Sequence, residues 1–592
     1  MWVFLVSLVL SFAFFGNGIS GEFVFDDTTV VQNRGDLTNP SNFFNLFISP
    51  YHQNNPTSGL YRPFTMATYS LNHNIFGSSP VGFHVINIVI HSLNSFLVFW
   101  LLIWLLKSRL VAYVSFVLFL LHPIHTEAVT SIVGRAELLA FFWSLITIYF
   151  LSKNNKILSA LAFLFALMSK EVALMVLPII FYIDIFFLNK NWRKVVTNNL
   201  IFLFPFGLYL FLRYLALGRY FAGEINTTIT SNVLIFVSVP ERIFTALKVF
   251  TLYVEKLVWP THLSADYSYN AIPVVKNIFH SPASILGLIG SIVLVGVLIL
   301  PKIRKTGFGF AVAVFLFPYL MISNLVIPVG TIMGERLMYF PSFGFSIASA
   351  LLIARFLDGK RFYKILGWSL LGFLIVFYGT HTILRNRVWH DSRTLFYTTV
   401  KESPNSLITR TALAGVHIRA NEWEMAKEQL EIAKRIYENN SHLQNLFGVV
   451  ADHEGDYVLA EEKYKKSLEL NPNATDASIN LAELYLKQGR LQEAGDNFLV
   501  VINFYATVEY VVRYSYIQIA LNKPDGALDM VNKYFGYNGS NINHPDVSAL
   551  VGTAYFVKED YKQALIFLIK AKDLGNKAPD IDKMILISER YN

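Results

Sequence analysis

Long apolar runs alternate with short polar gaps over the first two thirds of the chain. A helix that crosses a lipid bilayer needs about 20 mostly apolar residues, which several of these runs reach with their flanking residues. Beyond residue 385 the sequence becomes polar, charged and rich in alanine. We therefore predict a membrane domain over 1–384 with eleven spans, at about 1–17, 82–106, 110–122, 137–152, 157–168, 172–188, 196–217, 283–300, 307–327, 337–356 and 365–384.

Five gaps between these runs are strongly basic, with thirteen Lys and Arg residues and one acid, Asp358. Short cytoplasmic loops are enriched in Lys and Arg, so we place these gaps and the N-terminus in the cytoplasm. The loops 21–81 and 218–282 and everything after 385 then face outward, to the extracytoplasmic side or the ER lumen. The first run lacks a basic start and an A-x-A cleavage site, so we expect an uncleaved helix. The basic residues are Lys107, Arg109, Lys153, Lys156, Lys190, Arg193, Lys194, Lys302, Arg304, Lys305, Lys360, Arg361 and Lys364.

The polar region after the membrane domain repeats itself. Ala426, Ala460 and Ala494 recur every 34 residues, which is the tetratricopeptide period. Small residues at these positions let paired helices pack closely, and Tyr464 and Phe498 would fill the neighbouring gaps. A further unit is predicted at about 545–578, with a degenerate one before it. The predicted fold class is therefore all-α, with a polytopic membrane helix bundle, a linker over 385–406 and a tetratricopeptide-repeat α-solenoid over 407–592.

The amino-acid composition excludes some classes of function. The chain has no cysteine, which excludes disulfides, thiolate catalysis and Cys-ligated zinc. Its net charge of +8 would suit a nucleic-acid partner. The thirteen basic residues of the cytoplasmic gaps more than account for that charge, so no nucleic-acid partner is expected. The partners we expect are the membrane, a substrate of the membrane domain and a polypeptide bound by the repeats.

Two adjacent carboxylates follow the first predicted span. Asp26 and Asp27 lie in the segment GEFVFDDTTVVQN. A carboxylate at this place can act as general base for a hydroxyl nucleophile, and repulsion between neighbouring carboxylates can raise the pKa of one. The alternative is an ordinary loop start or helix cap.

Other ionisable residues gather in the segments placed outside. Polar groups at the ends of membrane helices are costly unless they are paired or used, so each is a candidate for a site. Arg62, Arg135, Lys170 and Arg336 offer cations for a phosphate, whose developing charge in a leaving group needs fixed positive partners. The alternative is a set of structural ion pairs. Candidate supporting residues are His122, His125, Glu127, Glu137, Glu171, Glu335, Asp266 and Tyr267.

A metal site is a second interpretation of His122, His125 and Glu127. These three residues lie within a short connection, LHPIHTEAV, and their side chains are common metal ligands. Their spacing matches no specific metal-binding motif. Metal dependence is therefore left open.

Several segments together resemble the transmembrane and tetratricopeptide-repeat O-mannosyltransferase family, which belongs to the GT-C class of polyprenyl-phosphate-dependent enzymes. They cover nearly the whole chain and occur in the family's order. They are FVFDDTTVVQN, GLYRPFTMATYSLNHNIFG, GFHVINIVIHSLNSFLVF, LHPIHTEAVTSIVGRAELLAFFW, SKE, LSADYS, PVGTIMGERLMYFPS and RNRVWHDSRTLF, followed by the repeats.

The resemblance implies a GT-C-like bundle that transfers a hexose, such as mannose, from a polyprenyl-phosphate donor to a Ser or Thr hydroxyl of an exported protein, with inversion. In such enzymes an acidic residue of the first outer loop is the base, which corresponds here to Asp27 or Asp26, with Asp27 slightly favoured. The cations above would bind the donor phosphate, and the repeats would present the acceptor. No tightly bound cofactor is expected beyond the donor itself. The alternatives are a non-catalytic assembly scaffold and a cell-envelope polysaccharide ligase.

Overall fold

The computed structural model describes residues 2–52, 56–221, 228–504, 506–536 and 543–592. Residues 53–55 and 222–227, which belong to the two predicted outward loops, lie outside the described residues. The described residues form helices and turns and contain no β-strand, which confirms the all-α class. They divide into two compact units, Met1–Val416 and His417–Asn592.

The first unit is built from the apolar runs, and each of the eleven predicted spans coincides with helical structure. The run 172–188 is the most broken, because a 3₁₀ turn at Glu171–Met175 precedes its helix and a π turn at Ile183–Phe187 follows it. The helices are α1 (Trp2–Phe15), α2 (Pro63–Phe76), α3 (Pro80–Leu106), α4 (Arg109–Leu121), α5 (Thr126–Val129), α6 (Arg135–Ser152), α7 (Lys156–Ser169), α8 (Val176–Tyr182), α9 (Trp192–Asn199), α10 (Leu203–Leu217), α11 (Val239–Val258), α12 (Pro282–Ile299), α13 (Gly307–Ile322), α14 (Pro341–Leu357), α15 (Arg361–Val388), α16 (Ser392–Glu402) and α17 (Leu407–Arg419).

Not all of these helices are long enough to span a bilayer alone. Within the described residues, five helical segments are long and apolar enough, or six if α4 and the segment Pro123–Val129, bent by 51°, form one span. Four further apolar helices are shorter, so the count of eleven spans stays a prediction. The five are Pro80–Leu106, Ile132–Ser152, Trp192–Tyr220, Pro282–Ile299 and Arg361–Val388, and the four are Trp2–Gly18, Lys156–Ser169, Gly307–Ile322 and Pro341–Leu357.

Helix α3 organises the first unit through a line of buried polar side chains. His91 contacts the Tyr339 hydroxyl at 2.8 Å and the Leu120 carbonyl at 3.1 Å. Asn94 donates to the Leu138 carbonyl at 3.0 Å and to the same Tyr339 hydroxyl at 3.1 Å. Such bonds join helices whose apolar surfaces alone give little preference for one packing arrangement. They fix α3, α4 and α6 against the segment that ends at Tyr339 and precedes α14.

The second predicted outward loop contains a long helix, α11. Its charged residues, Glu241, Lys248 and Glu255 among them, make it too polar to resemble a span in the sequence. One face is nevertheless apolar: it packs against α12, and the rings of Phe250 and Tyr253 contact Tyr319 of α13, with Tyr253 fully buried. The region 218–282 is therefore partly a helical wall of the first unit.

The second unit consists of helix pairs with the predicted period. Ala426, Ala460 and Ala494 are fully buried, and so is Ala527 in the degenerate repeat. Ala460, Ala494 and Ala527 lie on the second helix of their pairs, which confirms the assignment of the repeats. The helices are α18 (Trp423–Ile436), α19 (Ser441–His453), α20 (Tyr457–Leu470), α21 (Thr475–Lys487), α22 (Leu491–Phe504), α23 (Val508–Ala520), α24 (Pro524–Phe535), α25 (Pro545–Val557), α26 (Tyr561–Asp573) and α27 (Pro579–Tyr591).

A glycine between paired helices provides the first testable prediction. A Cβ atom at Gly448 would lie 2.5 Å from the buried ring of Tyr464, so Gly448→Ala should lower the midpoint of thermal unfolding of the second unit. Overpacking of this kind costs about 1–3 kcal/mol. The matched control is Gly526→Ala, also in a helix, where the nearest atom would be 3.5 Å away. Equal unfolding midpoints for the two variants would contradict this prediction.

Candidate functional site

A cavity of about 690 Å³ opens in the first unit and collects charged residues from distant parts of the chain. Its volume lies in the range of ligand-binding pockets. Eight of the predicted site residues line it, namely Asp26, Arg62, Glu127, Glu137, Lys170, Glu171, Asp266 and Arg336. Its other walls contain Tyr51, His52, Arg213 and Ser268, and an apolar part that includes Val172, Met321, Ile322, Ile327 and Leu337.

Arg336 lies between two carboxylates of the cavity. Its Nη1 donates to Asp26 Oδ2 at 3.1 Å, and its Nε lies 3.5 Å from Glu127 Oε1. The backbone N–H of Arg336 also donates to Glu127 Oε2 at 2.8 Å. Asp26 and Arg336 keep 38% and 29% of their side-chain surfaces exposed, whereas Glu127 keeps 4%. Asp26 is therefore held by an ion pair and still accessible from the cavity.

Arg62 and Arg213 share one carboxylate. Arg62 Nη2 lies 3.2 Å from Glu171 Oε2, and Arg213 Nη1 lies 3.9 Å from Glu171 Oε1. Burial alone would raise the pKa of Glu171, but Arg62 and Arg213 lower it. The guanidinium of Arg62 also lies over the ring of Tyr51, 4.9 Å from its centroid. Glu171 is thus ionised and holds two guanidinium groups at the wall of the cavity.

Lys170 supplies a further cation. It forms an ion pair with Glu137, whose side chain is 4% exposed. Burial lowers the pKa of Lys170, and Glu137 opposes that shift. The sequential neighbours Lys170 and Glu171 therefore pair with other residues rather than with each other. The cavity therefore presents four cations, and each of them is held by a carboxylate.

Asp27 is placed differently from Asp26. Its carboxylate is fully buried and accepts hydrogen bonds from the Val133 N–H at 2.8 Å and the Ser131 hydroxyl at 3.3 Å. Burial raises the pKa of Asp27 to about 7, although the backbone N–H groups of Val133 and Ile132 oppose the shift. Asp27 does not line the cavity. It joins the first outer loop to the segment before α6.

Arg135 is also buried away from the cavity. Its Nε donates to Asn87 Oδ1 at 2.8 Å, and its Nη2 donates to Asn72 Oδ1 at 2.9 Å and to the Phe83 carbonyl at 3.0 Å. The guanidinium lies over the Tyr69 ring at 4.7 Å. Of the four cations that the sequence predicts for a phosphate, Arg135 alone does not line the cavity and instead joins α2, α3 and α6.

The two histidines of the LHPIHTEAV segment are packing residues. His122 Nε2 contacts the Leu257 carbonyl at 2.8 Å, and His125 Nε2 contacts the Ser342 hydroxyl at 2.7 Å. Both rings are fully buried, whereas Glu127 lines the cavity. No group of three metal-ligating side chains occurs among the described residues, so His122, His125 and Glu127 do not come together as a set of metal ligands.

Glu335 and Tyr267 fix a loop beside the cavity. Glu335 Oε1 accepts from the Tyr267 hydroxyl at 2.6 Å and from the Ser264 N–H at 2.5 Å. Arg385 Nη2 lies 3.6 Å from Glu335 Oε2. Glu335 therefore holds the segment 264–267, while the next residue, Arg336, lines the cavity.

Sequence reasoning did not select Tyr51, His52, Arg213 or Ser268. Arg213 carried a usable signal, because an ionisable residue inside an apolar run is a functional candidate by default. Its run, LFLRYLAL, contains no other charge. Tyr51, His52 and Ser268 carry no such signal, since they are common loop residues.

Comparison with known proteins gives one family model and several relatives. A tetratricopeptide-repeat model matches residues 453–496. The chain is 28% identical to the protein O-mannosyl-transferase F38B6.6 of Caenorhabditis elegans, over 68% of this chain and 58% of that protein. It is 25% identical to human protein O-mannosyl-transferase TMTC3, over 96% of this chain and 63% of that protein. The chain thus spans about 60% of the length of these relatives, and its resemblance to the O-mannosyltransferase family is confirmed.

Among solved structures, the TPR protein YrrB, described as having an unusual peptide-binding site, aligns at 18% identity and a TM-score of 0.28. The alignment covers 33% of this chain and 97% of that one.

Proposed function

We propose that this protein is a membrane glycosyltransferase that moves a hexose, mannose, from a polyprenyl-phosphate donor to Ser and Thr hydroxyls of exported proteins. The observation that carries the proposal is the cavity, where four oriented cations and an accessible carboxylate meet beside an apolar wall. The named relatives support a glycosyltransferase role. We further propose that the membrane domain is a GT-C-like bundle of eleven spans. The cavity and the repeats would both face outward.

The donor would contact both the charged part and the apolar part of the cavity. Arg62, Lys170, Arg213 and Arg336 would bind its phosphate, since fixed cations stabilise the charge that develops on a phosphate leaving group. The polyprenyl chain would lie along the apolar wall, because burial of each CH₂ group contributes about 0.8 kcal/mol. The carboxylates that hold the cations keep them in place before the donor binds.

Asp26 would be the general base. It faces the cavity and contacts Arg336, whereas Asp27 is buried. The acceptor hydroxyl would give its proton to Asp26 while its oxygen attacks the anomeric carbon. The bond from that carbon to the phosphate oxygen would break, and the polyprenyl phosphate would leave with the bonding electrons. Attack opposite the leaving group inverts the anomeric centre. The repeats would bind the acceptor polypeptide.

The direct test of the proposal is transfer in isolated membranes. Radiolabelled polyprenyl-phosphate mannose is supplied to membranes that contain the wild-type chain and to membranes that lack it. Label on protein Ser or Thr residues only in the first set is the expected result. Label on glycan instead of protein would contradict the assignment of the acceptor, and no label with any lipid-linked hexose would contradict the enzyme.

The cations that line the cavity give a second prediction. Neutralising one ion pair, with Lys170→Gln and Glu137→Gln together, should lower the kcat/KM for the donor by about 10²-fold. The double change avoids leaving Glu137 unpaired. The matched control is Lys190→Gln with Asp184→Asn, an ion pair of 2.7 Å that does not line the cavity. Equal losses in both double variants would exclude Lys170 from the donor site.

A further inference from the structure

Asp266 is the exception among the carboxylates that line the cavity. Asp26, Glu127, Glu137 and Glu171 each pair with a cation. In the part of the chain that the structure describes, no cation lies within ion-pair distance of Asp266. A carboxylate without a cationic partner remains a strong hydrogen-bond acceptor.

The two carboxylate oxygens of Asp266 differ in the hydrogen bonds that they accept. Oδ2 accepts from the Ser406 hydroxyl at 2.5 Å, from the Ser268 hydroxyl at 2.6 Å and from the Ser268 N–H at 3.1 Å. The Thr409 hydroxyl lies 3.4 Å from the same atom. These contacts are all made by Oδ2, so Oδ1 remains to accept a hydrogen bond from a molecule in the cavity.

The bonds to Oδ2 also hold the residue rigidly. The loop around Asp266 is joined to the segment that leads into α17 by backbone hydrogen bonds, from Asn270 N to Asn405 O at 2.8 Å and from Leu407 N to Tyr269 O at 2.7 Å. The Ser264 and Ser403 hydroxyls add a contact of 2.8 Å. Asp266 is therefore preorganised, which reduces the entropy that a bound group must lose.

The surroundings of Asp266 indicate which ligand it fits. The nearby cavity wall contains the apolar side chains of Phe25, Ala265 and Ile408. A hexose carries a hydroxyl on most of its ring carbons and needs several polar partners. A peptide offers one N–H per residue beside apolar Cα and side-chain atoms. The hydroxyls of Ser268 and Ser406 are occupied by Oδ2, so one free carboxylate oxygen beside apolar side chains matches a peptide better than a sugar.

We propose that Asp266 Oδ1 accepts a backbone N–H of the acceptor polypeptide and so positions its Ser or Thr hydroxyl for reaction. The proposal rests on the proposed function and adds to it an acceptor site in the first unit, distinct from the donor cations. Asp266 binds substrate in this account and takes no part in proton transfer.

The first test is Asp266→Asn, measured as transfer from polyprenyl-phosphate mannose to a short Ser-containing peptide by the full chain. The Asn oxygen would replace Oδ2, which leaves an NH₂ group where Oδ1 accepted. We expect the KM for the peptide to rise by at least about 10-fold, because a hydrogen bond to a charged group is lost. The KM for the donor should stay within about 2-fold. Asp358→Asn, at an exposed position that does not line the cavity, is the control, with a change in peptide KM below about 3-fold.

A second measurement distinguishes a direct contact between Asp266 and the peptide from a structural role of Asp266. Peptides in which one backbone amide at a time is replaced by an ester lack a single N–H. One such peptide should raise the KM of the wild type as much as Asp266→Asn does, and it should cause no further rise in the variant. This non-additivity identifies a direct pair.

Three results would overturn the proposal. Additive effects for every ester peptide would mean that no backbone N–H contacts Asp266. A raised KM for the donor with an unchanged KM for the peptide would assign Asp266 to the sugar. Absence of any transfer by the wild type would remove the proposed function and this site with it, whereas the first two results leave the proposed function intact.

Discussion

Replacement of Asp26 by Asn is expected to lower the rate of sugar transfer by about 10³-fold, because general base catalysis contributes about 10²–10⁴-fold. Asn has the same shape and can still contact Arg336, so the loss would reflect the base and not the fold. The measurement is the kcat for transfer from polyprenyl-phosphate mannose to a peptide, at matched amounts of folded protein.

The control for this prediction is Asp27→Asn. The Asn oxygen can still accept from the Val133 N–H, which lies 2.8 Å from Asp27 Oδ1, and Asp27 does not line the cavity. We expect less than about a 10-fold change in kcat for this variant. A larger loss in Asp27→Asn than in Asp26→Asn would reverse the assignment of the base and restore Asp27, the residue slightly favoured from the family resemblance.

The second large effect is expected at Arg135, and it concerns stability. Arg135→Ala would leave several buried oxygens without a donor, those of Asn87, Asn72 and Phe83 among them. Each buried acceptor that loses its donor costs about 1–3 kcal/mol. We expect a large loss of folded protein and a lower midpoint of thermal unfolding in detergent.

Arg361→Ala is the matched control, because Arg361 is exposed at the first residue of α15. We expect its unfolding midpoint to stay close to that of the wild type. If Arg135→Ala unfolds at the wild-type temperature and instead raises the KM for the donor, Arg135 belongs to the phosphate site that the sequence predicts.

The repeats could be predicted because the residues that specify each helix pair lie close together in the sequence. A period of 34 residues, with small residues at fixed positions, specifies helix pairs without reference to the rest of the chain. The apolar runs likewise predict helices. Their exact lengths depend on neighbours, as the break around Glu171–Met175 shows.

The candidate site depended on contacts that sequence spacing does not reveal. Asp26 and Asp27 are adjacent, but Asp26 faces Arg336 in the cavity and Asp27 is buried against the Val133 N–H. Arg62 meets Glu171 across 109 positions of sequence, and Arg336 meets Asp26 across 310. The list of ionisable residues was therefore informative, while their pairing required the fold.

Sugar transfer by the purified wild-type protein in liposomes, supplied with a Ser-containing peptide and one mannose donor at a time, is the decisive measurement. We predict that mass spectrometry detects one added hexose on Ser when the donor is polyprenyl-phosphate mannose, and none when it is a nucleotide-linked mannose. Addition only from the nucleotide donor, or no addition from any lipid-linked hexose, would show that the protein is not a polyprenyl-phosphate-dependent glycosyltransferase.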